Sequence, residues 1–401
     1  MVDESVLIQG LKIVMENGME ENGYIRVRNG KISEVGSVSQ QTNEKADKVY
    51  TFSPSDTLIP GFIDVHIHGV DGADTMDATL SALDTMAKAL PREGTTSFLA
   101  TTITQEVEAI EEALENVANY LDGELQDGKA EVLGVHLEGP FISKEKAGAQ
   151  PLDYIIPPEV DLFRRFQEKA NHSIKLVTLA PEEDTEGALT RYLKETDVVA
   201  SIGHSNGTYH QLDEAIRAGA SHVTHLFNGM TGLHHREPGV VGTAFLRKEL
   251  ATELIVDGIH SSPQVVKLAY QQIGEDRLIL ITDSIRAKGL KDGVYDLGGQ
   301  EVQVKGGKAE LPNGSLAGSV LKMADAIKNM MTFSETDLQS VVKMASVNPA
   351  KQLKVFDRKG SIAVGKDADL VVLDENNQVT LTFCRGRLSY SSEDSNLYGT
   401  V

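Results

Sequence analysis

The sequence is poor in cysteine and in basic residues, and it contains no long apolar run. Its single cysteine, Cys384, excludes an intramolecular disulfide framework. The 38 lysines and arginines face 59 aspartates and glutamates, and the net charge of −21 makes nucleic acid and anionic membranes poor partners. No apolar run reaches the roughly 18 residues of a membrane span, and the N-terminal residues lack the basic start of a signal peptide. We therefore expect a soluble, cytoplasmic protein.

The two ends of the chain carry β patterns without candidate catalytic residues. Residues 24–28 alternate, Asn29-Gly30 is a two-residue hairpin signal, and residues 31–35 resume the alternation. Residues 368–373 and 379–383 are predicted strands near the other end. The simplest assembly pairs both ends into one small β-sandwich, with a larger domain inserted between them. The predicted segments are 1–55 and 356–401 for the β-sandwich and 56–355 for the inserted domain.

The middle of the chain alternates apolar strand patterns with helical patterns, which is typical of an α/β fold. Leu80, Leu83, Ala87 and Leu90, for example, recur at helical spacing between two apolar segments. Near-continuous apolar strands separated by helices indicate a parallel sheet covered on both faces, and eight such units favour a closed (β/α)8 barrel. An open doubly wound sheet is the structural alternative. The predicted strands are 60–69, 95–100, 132–138, 174–179, 198–204, 222–227, 252–256 and 278–283, followed by a helical stretch at 322–353.

Imidazoles and carboxylates lie at the carboxyl ends of these predicted strands, where barrels carry their chemistry. His66 and His68 are two residues apart, so a strand places both side chains on one face, about 7 Å apart. Burying many unpaired polar groups together is costly, and a divalent metal compensates for it. Imidazole and carboxylate suit one or two Zn²⁺ or Fe²⁺ ions, with Glu138 as a bridge, although each histidine alone has an alternative as a hydrogen-bonded core or surface group. The candidate ligands are His66, His68, Glu138, His204, His225 and Asp283.

Two residues are candidates for the reaction itself. Asp283 ends the eighth predicted strand and can take a proton from metal-bound water and return it to a leaving amine. Its alternative roles are a further metal ligand or a helix cap. His260 follows the seventh predicted strand and can polarise a substrate carbonyl as a hydrogen-bond donor, with loop packing as its alternative.

A Gly-rich, basic loop at residues 228–239 follows the sixth predicted strand in an otherwise acidic protein. The backbone amides of Asn228 and Gly229 and the planar guanidinium of Arg236 form a candidate phosphate site. An arginine in a surface loop is more often simply solvated, which is the alternative. On its own, the loop does not decide between these two interpretations.

These motifs together resemble the amidohydrolase superfamily and, within it, the N-acetylglucosamine-6-phosphate deacetylases. The resemblance extends over nearly the whole chain, and segments 137–140 and 236–239 distinguish these deacetylases from their relatives. A relative of the dihydroorotase type would bridge its metals with a modified lysine at the end of the fourth strand, but Lys175 lies too early for that role. The matching segments are 60–69, 136–141, 203–205, 224–230, 236–239, 257–260, 282–283 and 365–370.

The resemblance implies a metal-bearing barrel with a flanking β-sandwich and Asp283 as the acid and base. It also implies a homodimer in which the neighbouring subunit helps to close the site. The implied ligands are Glu138, His204 and His225 for a main metal, and His66 and His68 for a second. The implied contacts to a sugar phosphate are Ala149, Gln150, Asn228, Gly229, Arg236, His260, Leu316, Ala317 and Gly318.

We therefore predict hydrolysis of N-acetyl-D-glucosamine 6-phosphate to D-glucosamine 6-phosphate and acetate, in amino-sugar catabolism. Members of the group that the chain resembles differ at the His-x-His position, and retention of both histidines here favours two ions. Two alternatives stay open. One is deacetylation of the galactosamine epimer, and the other is a non-catalytic, metal-free barrel that only binds a sugar phosphate.

Overall fold

Eight parallel strands form a closed barrel in the computed structural model, which describes residues 5–42, 44–123 and 128–392. The strands follow one another around the barrel in chain order. The first and last strands are joined by hydrogen bonds from Asp283 N to His66 O and from His68 N to Ser284 O, each 2.9 Å long. The predicted (β/α)8 barrel is therefore confirmed, and the open-sheet alternative is wrong. The strands are β1 (Phe62–Ile67), β2 (Thr95–Thr101), β3 (Glu131–Glu138), β4 (Ile174–Leu179), β5 (Val199–Ile202), β6 (His222–Val223), β7 (Ala251–Ile255) and β8 (Leu278–Ile281).

Helices cover the outside of the barrel and bury the outer faces of its strands. Every residue of β1, β2 and β8 is buried, as expected for strands with packed material on both sides. None of the helices in the described ranges is long and apolar enough to cross a membrane. The helices are α1 (Leu80–Ala89), α2 (Val107–Asp122), α3 (Val160–Lys169), α4 (Ala188–Glu195), α5 (Tyr209–Ala218), α6 (Gly239–Leu246), α7 (Pro263–Ile273), α8 (Met323–Ser334), α9 (Leu338–Val342) and α10 (Asn348–Gln352), with a π-helical turn at Lys343–Val347.

Both chain ends contribute to one eight-stranded sheet beside the barrel. The strand Thr57–Pro60 pairs antiparallel with Leu370–Leu373 and so joins the N-terminal to the C-terminal part. Tyr50 and Phe383 from the two parts meet edge to face, with ring centroids 5.4 Å apart, inside a core that this sheet encloses. The predicted small β domain is confirmed, while the segment bounds at residues 55 and 355 stay predictions. The other strands are Val6–Met15, Gly18–Arg28, Lys31–Ser37, Lys48–Thr51, Val379–Cys384 and Arg387–Ser391.

A small antiparallel sheet after β8 was not predicted. It consists of Gly293–Leu297, Gln300–Lys305 and Lys308–Glu310. Val302 and Val304 alternate with exposed polar residues and pack in one cluster with Ile103, beyond the end of β2. The sheet therefore lies over the carboxyl end of the barrel.

A network of buried ion pairs connects the barrel to the sheet of the chain ends. The side chain of Lys359 is 1% exposed and pairs with Asp369 and, at 2.7 Å, with Glu131 of β3. Arg358 makes a second contact to Glu131, at 2.6 Å. Burial would raise the pKa of Glu131, but Arg358 and Lys359 lower it to about 2. These ion pairs therefore link the barrel to the sheet of the chain ends, and each buried charge is offset by a partner of opposite sign.

Replacing Lys359 with methionine should destabilise the protein by about 3 kcal/mol, because it leaves buried carboxylates without their cation. The matched control is Lys354→Met, which removes an exposed pair with Asp197 and should cost about 1 kcal/mol or less. Thermal unfolding followed by circular dichroism measures both. Equal melting temperatures for the two variants would contradict this account of the network.

Candidate metal centre and active site

Six buried side chains converge at the carboxyl end of the barrel, as two groups of three. In each group the candidate ligand atoms lie within 4.8 Å of one another. In one group, Glu138 Oε1 is 3.2 Å from His204 Nε2 and 3.1 Å from His225 Nε2. In the other, Asp283 Oδ1 is 3.3 Å from the Nε2 of His68 and 3.4 Å from that of His66. The groups are Glu138, His204 and His225, and His66, His68 and Asp283.

Glu138 lies between the two groups. Its Oε1 faces His204 and His225, and its Oε2 lies 3.2 Å from the Nε2 of His68. Gln150 donates a hydrogen bond of 2.8 Å from its Nε2 to the same Oε2. The carboxylate therefore contacts both groups and is held in place by an amide.

The hydrogen-bond pattern leaves unshared electron pairs facing one another. His204 Nδ1 lies 2.8 Å from the carbonyl oxygen of Lys146, which can only accept, so Nδ1 carries the proton. In a neutral imidazole the Nε2 then carries an electron pair, and it faces both Glu138 Oε1 and His225 Nε2. Among the residues that the structure describes, His66 Nε2 is likewise buried without a hydrogen-bond partner. A divalent cation among these atoms would satisfy them all, so the residues fit a metal site.

Backbone strain is concentrated at the same residues. His204, His225 and Asp283 have φ angles of +47°, +29° and +48°, in the left-handed region that L-residues avoid. This conformation cannot continue a strand, which is why β5, β6 and β8 end earlier than predicted. Such strain persists where the surrounding structure enforces it, commonly at functional sites.

Gly229 allows the chain to approach His204 closely. Its φ is +56°, and a Cβ atom built there would lie 2.8 Å from His204 Nδ1 and 3.2 Å from Lys146 O. A side chain would therefore collide with the hydrogen bond that orients His204.

In this site, burial and the neighbouring charged groups shift the pKa values of the side chains in opposite directions. Burial would raise the pKa of Glu138, but His66, His204 and His225, whose Nε2 atoms lie against its carboxylate, hold it well below its ordinary value. Burial would lower the pKa of His68, but its hydrogen bonds to Asp283 and Glu138 raise it to about 9. Protons therefore compete with any cation for these imidazoles, and binding of a metal should release them.

A cavity of about 290 Å³ opens onto both groups. Arg236 does not line it in this chain, because its exposed guanidinium lies 2.7 Å from His235 Nε2. Ala317 is fully buried and is also absent from the lining, and His66 lies behind the surface. The roles predicted for all these residues stay predictions. The predicted residues that the cavity brings together are His68, Glu138, Ala149, Gln150, His204, His225, Asn228, Gly229, His260, Asp283, Leu316 and Gly318.

His260 is oriented by a carboxylate from its own loop. Its Nδ1 lies 2.7 Å from Asp257 Oδ2, while Asp257 Oδ1 accepts the backbone N–H groups of Ile259 and His260. Burial would raise the pKa of Asp257, but His260 lowers it. Because Nδ1 is engaged, Nε2 is the nitrogen left for a ligand.

Sequence reasoning missed Glu253, a fully buried carboxylate in β7. Its Oε2 lies 3.0 Å from His66 Nδ1, and its Oε1 lies 3.0 Å from His222 Nε2. A carboxylate within the apolar segment 252–256 was the available signal, because such a group needs partners when buried.

The residues 57–389 match the amidohydrolase family model. Together with the barrel and its cluster of imidazoles and carboxylates, this match shows that the chain belongs to the amidohydrolase family, whose members depend on metals.

Within this family the similarity is to sugar-phosphate deacetylases. The chain is 50% identical to the N-acetylglucosamine-6-phosphate deacetylase of Bacillus subtilis, over 98% of this chain and 99% of the relative. It is 35% identical to the N-acetylgalactosamine-6-phosphate deacetylase of Escherichia coli O157:H7, over 96% and 99%. The crystal structure of N-acetylglucosamine-6-phosphate deacetylase from Thermotoga maritima superposes with a TM-score of 0.86 at 36% identity, covering 96% of this chain and all of that one.

Replacing Gly229 with alanine should lower the Zn²⁺ affinity of the metal-free protein about tenfold or more, because the new methyl group displaces the His204 ring or its Lys146 partner. Gly232→Ala is the control in the same loop, since no atom of the described residues lies within 4 Å of a Cβ built there. Competition with a chromophoric chelator measures both affinities. A Gly229→Ala protein that binds Zn²⁺ as tightly as the control would refute the proposed constraint on His204.

Proposed function

We propose that this protein hydrolyses the acetamide of N-acetyl-D-glucosamine 6-phosphate to D-glucosamine 6-phosphate and acetate. The observation that carries the proposal is the convergence of two ligand groups around Glu138 on one cavity that also contains Asp283 and His260. The 50% identity to a deacetylase of this substrate over nearly the full chain supports it. The proposed setting is amino-sugar catabolism in the cytoplasm.

The proposed cofactor is Zn²⁺ or Fe²⁺, as one or two ions. Nitrogen and carboxylate oxygen donors suit both metals. Glu138, His204 and His225 would hold one ion, and His66, His68 and Asp283 would hold the other. A bound divalent metal supplies Lewis-acid chemistry, lowering the pKa of water and polarising a carbonyl oxygen.

Asp283 is the proposed acid and base. Its carboxylate lies at the cavity, and burial would raise its pKa, but His66 and His68 lower it. It is therefore ionised and ready to accept a proton from the attacking water. It then returns that proton to the sugar nitrogen as the carbon–nitrogen bond breaks, and the amine leaves as a neutral group.

His260 is the proposed donor to the amide carbonyl. Asp257 engages its Nδ1, so a protonated His260 donates from Nε2 to the oxygen on which negative charge develops.

The phosphate is assigned to the loop that begins at Asn228. Asn228 and Gly229 line the cavity, whereas Arg236 is exposed and points to His235. We therefore include a homodimer in the proposal, in which Arg236 serves the cavity of the neighbouring subunit.

Replacing Asp283 with asparagine should lower the rate of acetate release by about 100-fold or more, because the amide cannot relay the proton. Elemental analysis should still find the ion proposed at Glu138, His204 and His225, because that group does not include Asp283. Asp161→Asn, on the exposed surface of α3, is the control and should retain full turnover. Retention of most of the turnover in Asp283→Asn would remove this residue from its proposed role.

Replacing Arg236 with glutamine should lower kcat/KM for the phosphorylated sugar about 10- to 100-fold, because a charge-assisted contact to phosphate is lost. The rate on unphosphorylated N-acetylglucosamine should change little. Arg164→Gln, on the exposed face of α3, is the matched control. Equal losses on both sugars would refute the phosphate assignment.

The second candidate substrate is the galactosamine epimer, which the similarity to the E. coli enzyme favours. Comparing kcat/KM for the two 6-phosphates decides between them. A non-catalytic sugar-phosphate-binding barrel is the alternative from another class. It would be supported by intact sugar-phosphate binding without metal or acetate release.

A further inference from the structure

Glu253 is a buried charge that the proposed mechanism leaves without a role. Its side chain is fully buried, and no lysine or arginine of the described residues lies within ion-pair distance of it. Its partners are His66, His222 and the backbone N–H of His225, at 3.0, 3.0 and 3.1 Å. An isolated carboxylate in such a place is costly unless nearby positive charge offsets it.

Glu253 fixes the orientation of His66. Since a carboxylate only accepts hydrogen bonds, the proton of His66 lies on Nδ1, and the electron pair on Nε2 points at the cluster. That Nε2 is 3.4 Å from both Glu138 Oε1 and Asp283 Oδ1. The neighbouring His68 has no such support, because its buried Nδ1 lacks a hydrogen-bond partner within the described ranges.

The same carboxylate also supports the other ligand group. Glu253 Oε2 accepts the backbone N–H of His225, whose φ of +29° is strained. The backbone oxygen of Glu253 accepts the next N–H along the chain, from Leu226. One residue of β7 therefore holds a ligand in each group, His66 through its ring and His225 through its backbone.

The charge of Glu253 suits a site with two divalent cations. Glu138 and Asp283 offset two of their four positive charges, and Glu253 adds a third negative charge directly behind His66. A carboxylate hydrogen-bonded to a ligating imidazole also increases the basicity of that ligand.

We propose that Glu253 is a positioning residue of the metal centre, which through His66 sets the affinity for the ion at His66, His68 and Asp283. This inference depends on the metal centre of the proposed function. It assigns Glu253 no contact with the substrate.

Replacing Glu253 with glutamine tests the charge without changing the shape. The amide oxygen can take the place of Oε2 towards His66 and His225. The amide N–H₂ then faces His222, whose Nδ1 has no hydrogen-bond partner in the described part of the chain and can carry the proton instead of Nε2. The variant should therefore fold, and circular dichroism checks that it does.

The measurement is Zn²⁺ binding to metal-free protein in competition with a chromophoric chelator. We expect Glu253→Gln to weaken the more weakly held ion about 10- to 100-fold, while the other ion changes less. Glu253→Asp, which keeps the charge but withdraws it from His66, should also weaken Zn²⁺ binding and serves if the glutamine variant does not fold. Glu93→Gln is the matched control. Glu93 is also a buried carboxylate, but it lies just before the amino end of β2 and pairs with Lys288.

Each outcome has a distinct meaning. Zn²⁺ affinities of Glu253→Gln and Glu253→Asp within threefold of the wild type would overturn the inference and leave the proposed function intact. An equal loss of affinity in Glu93→Gln would also overturn it, by showing a general loss of stability. A wild-type protein that binds no Zn²⁺ or Fe²⁺ would refute the metal centre itself, and with it both proposals.

Discussion

The constraint on which the rest of the site depends is the convergence of hydrogen-bond acceptors at one end of the barrel. Nitrogen electron pairs of His204 and His66 face Glu138 Oε1 at 3.2 and 3.4 Å, and His204 Nε2 lies 3.1 Å from His225 Nε2, with too few protons between neutral groups to pair these atoms. Left alone, this arrangement is repulsive, and its burial strengthens the repulsion. A divalent cation among these atoms would make the same contacts attractive. The arrangement therefore fits a positive charge that the side chains themselves do not supply.

The barrel explains how such an arrangement is maintained. Continuous apolar strands covered by helices form a rigid frame, and the ligands follow directly after the strands. Where the strands end, left-handed backbone at His204, His225 and Asp283 turns the ligands towards the centre. Two of the ligands are then fixed by hydrogen bonds to groups outside the cluster. His204 donates to the carbonyl oxygen of Lys146, and His66 donates to the carboxylate of Glu253. The free-energy cost of the strained backbone and of the buried polar ligands is therefore offset by the stability of the surrounding barrel.

Much of this could be predicted from the sequence, because the eight apolar segments and the polar residues at their ends are local patterns. His66-x-His68, Glu138 and Asp283 stand out where a buried strand should end. The small sheet at 293–310 also has a local signal, since Val302 and Val304 alternate with polar residues between two glycine pairs. Arg236 shows the limit of such reasoning, because its distance from the cavity of its own chain depends on the path of the whole loop. The hydrogen bond between Glu253 and His66 joins residues 187 positions apart, and no local pattern specifies such a pairing.

The most direct test of the account is a single experiment on the purified protein that combines elemental analysis with an acetate-release assay on N-acetyl-D-glucosamine 6-phosphate. The account predicts one or two equivalents of zinc or iron per chain, loss of acetate release after the metal is removed by a chelator, and its recovery when Zn²⁺ or Fe²⁺ is returned. Undiminished acetate release from protein that contains no metal would contradict it.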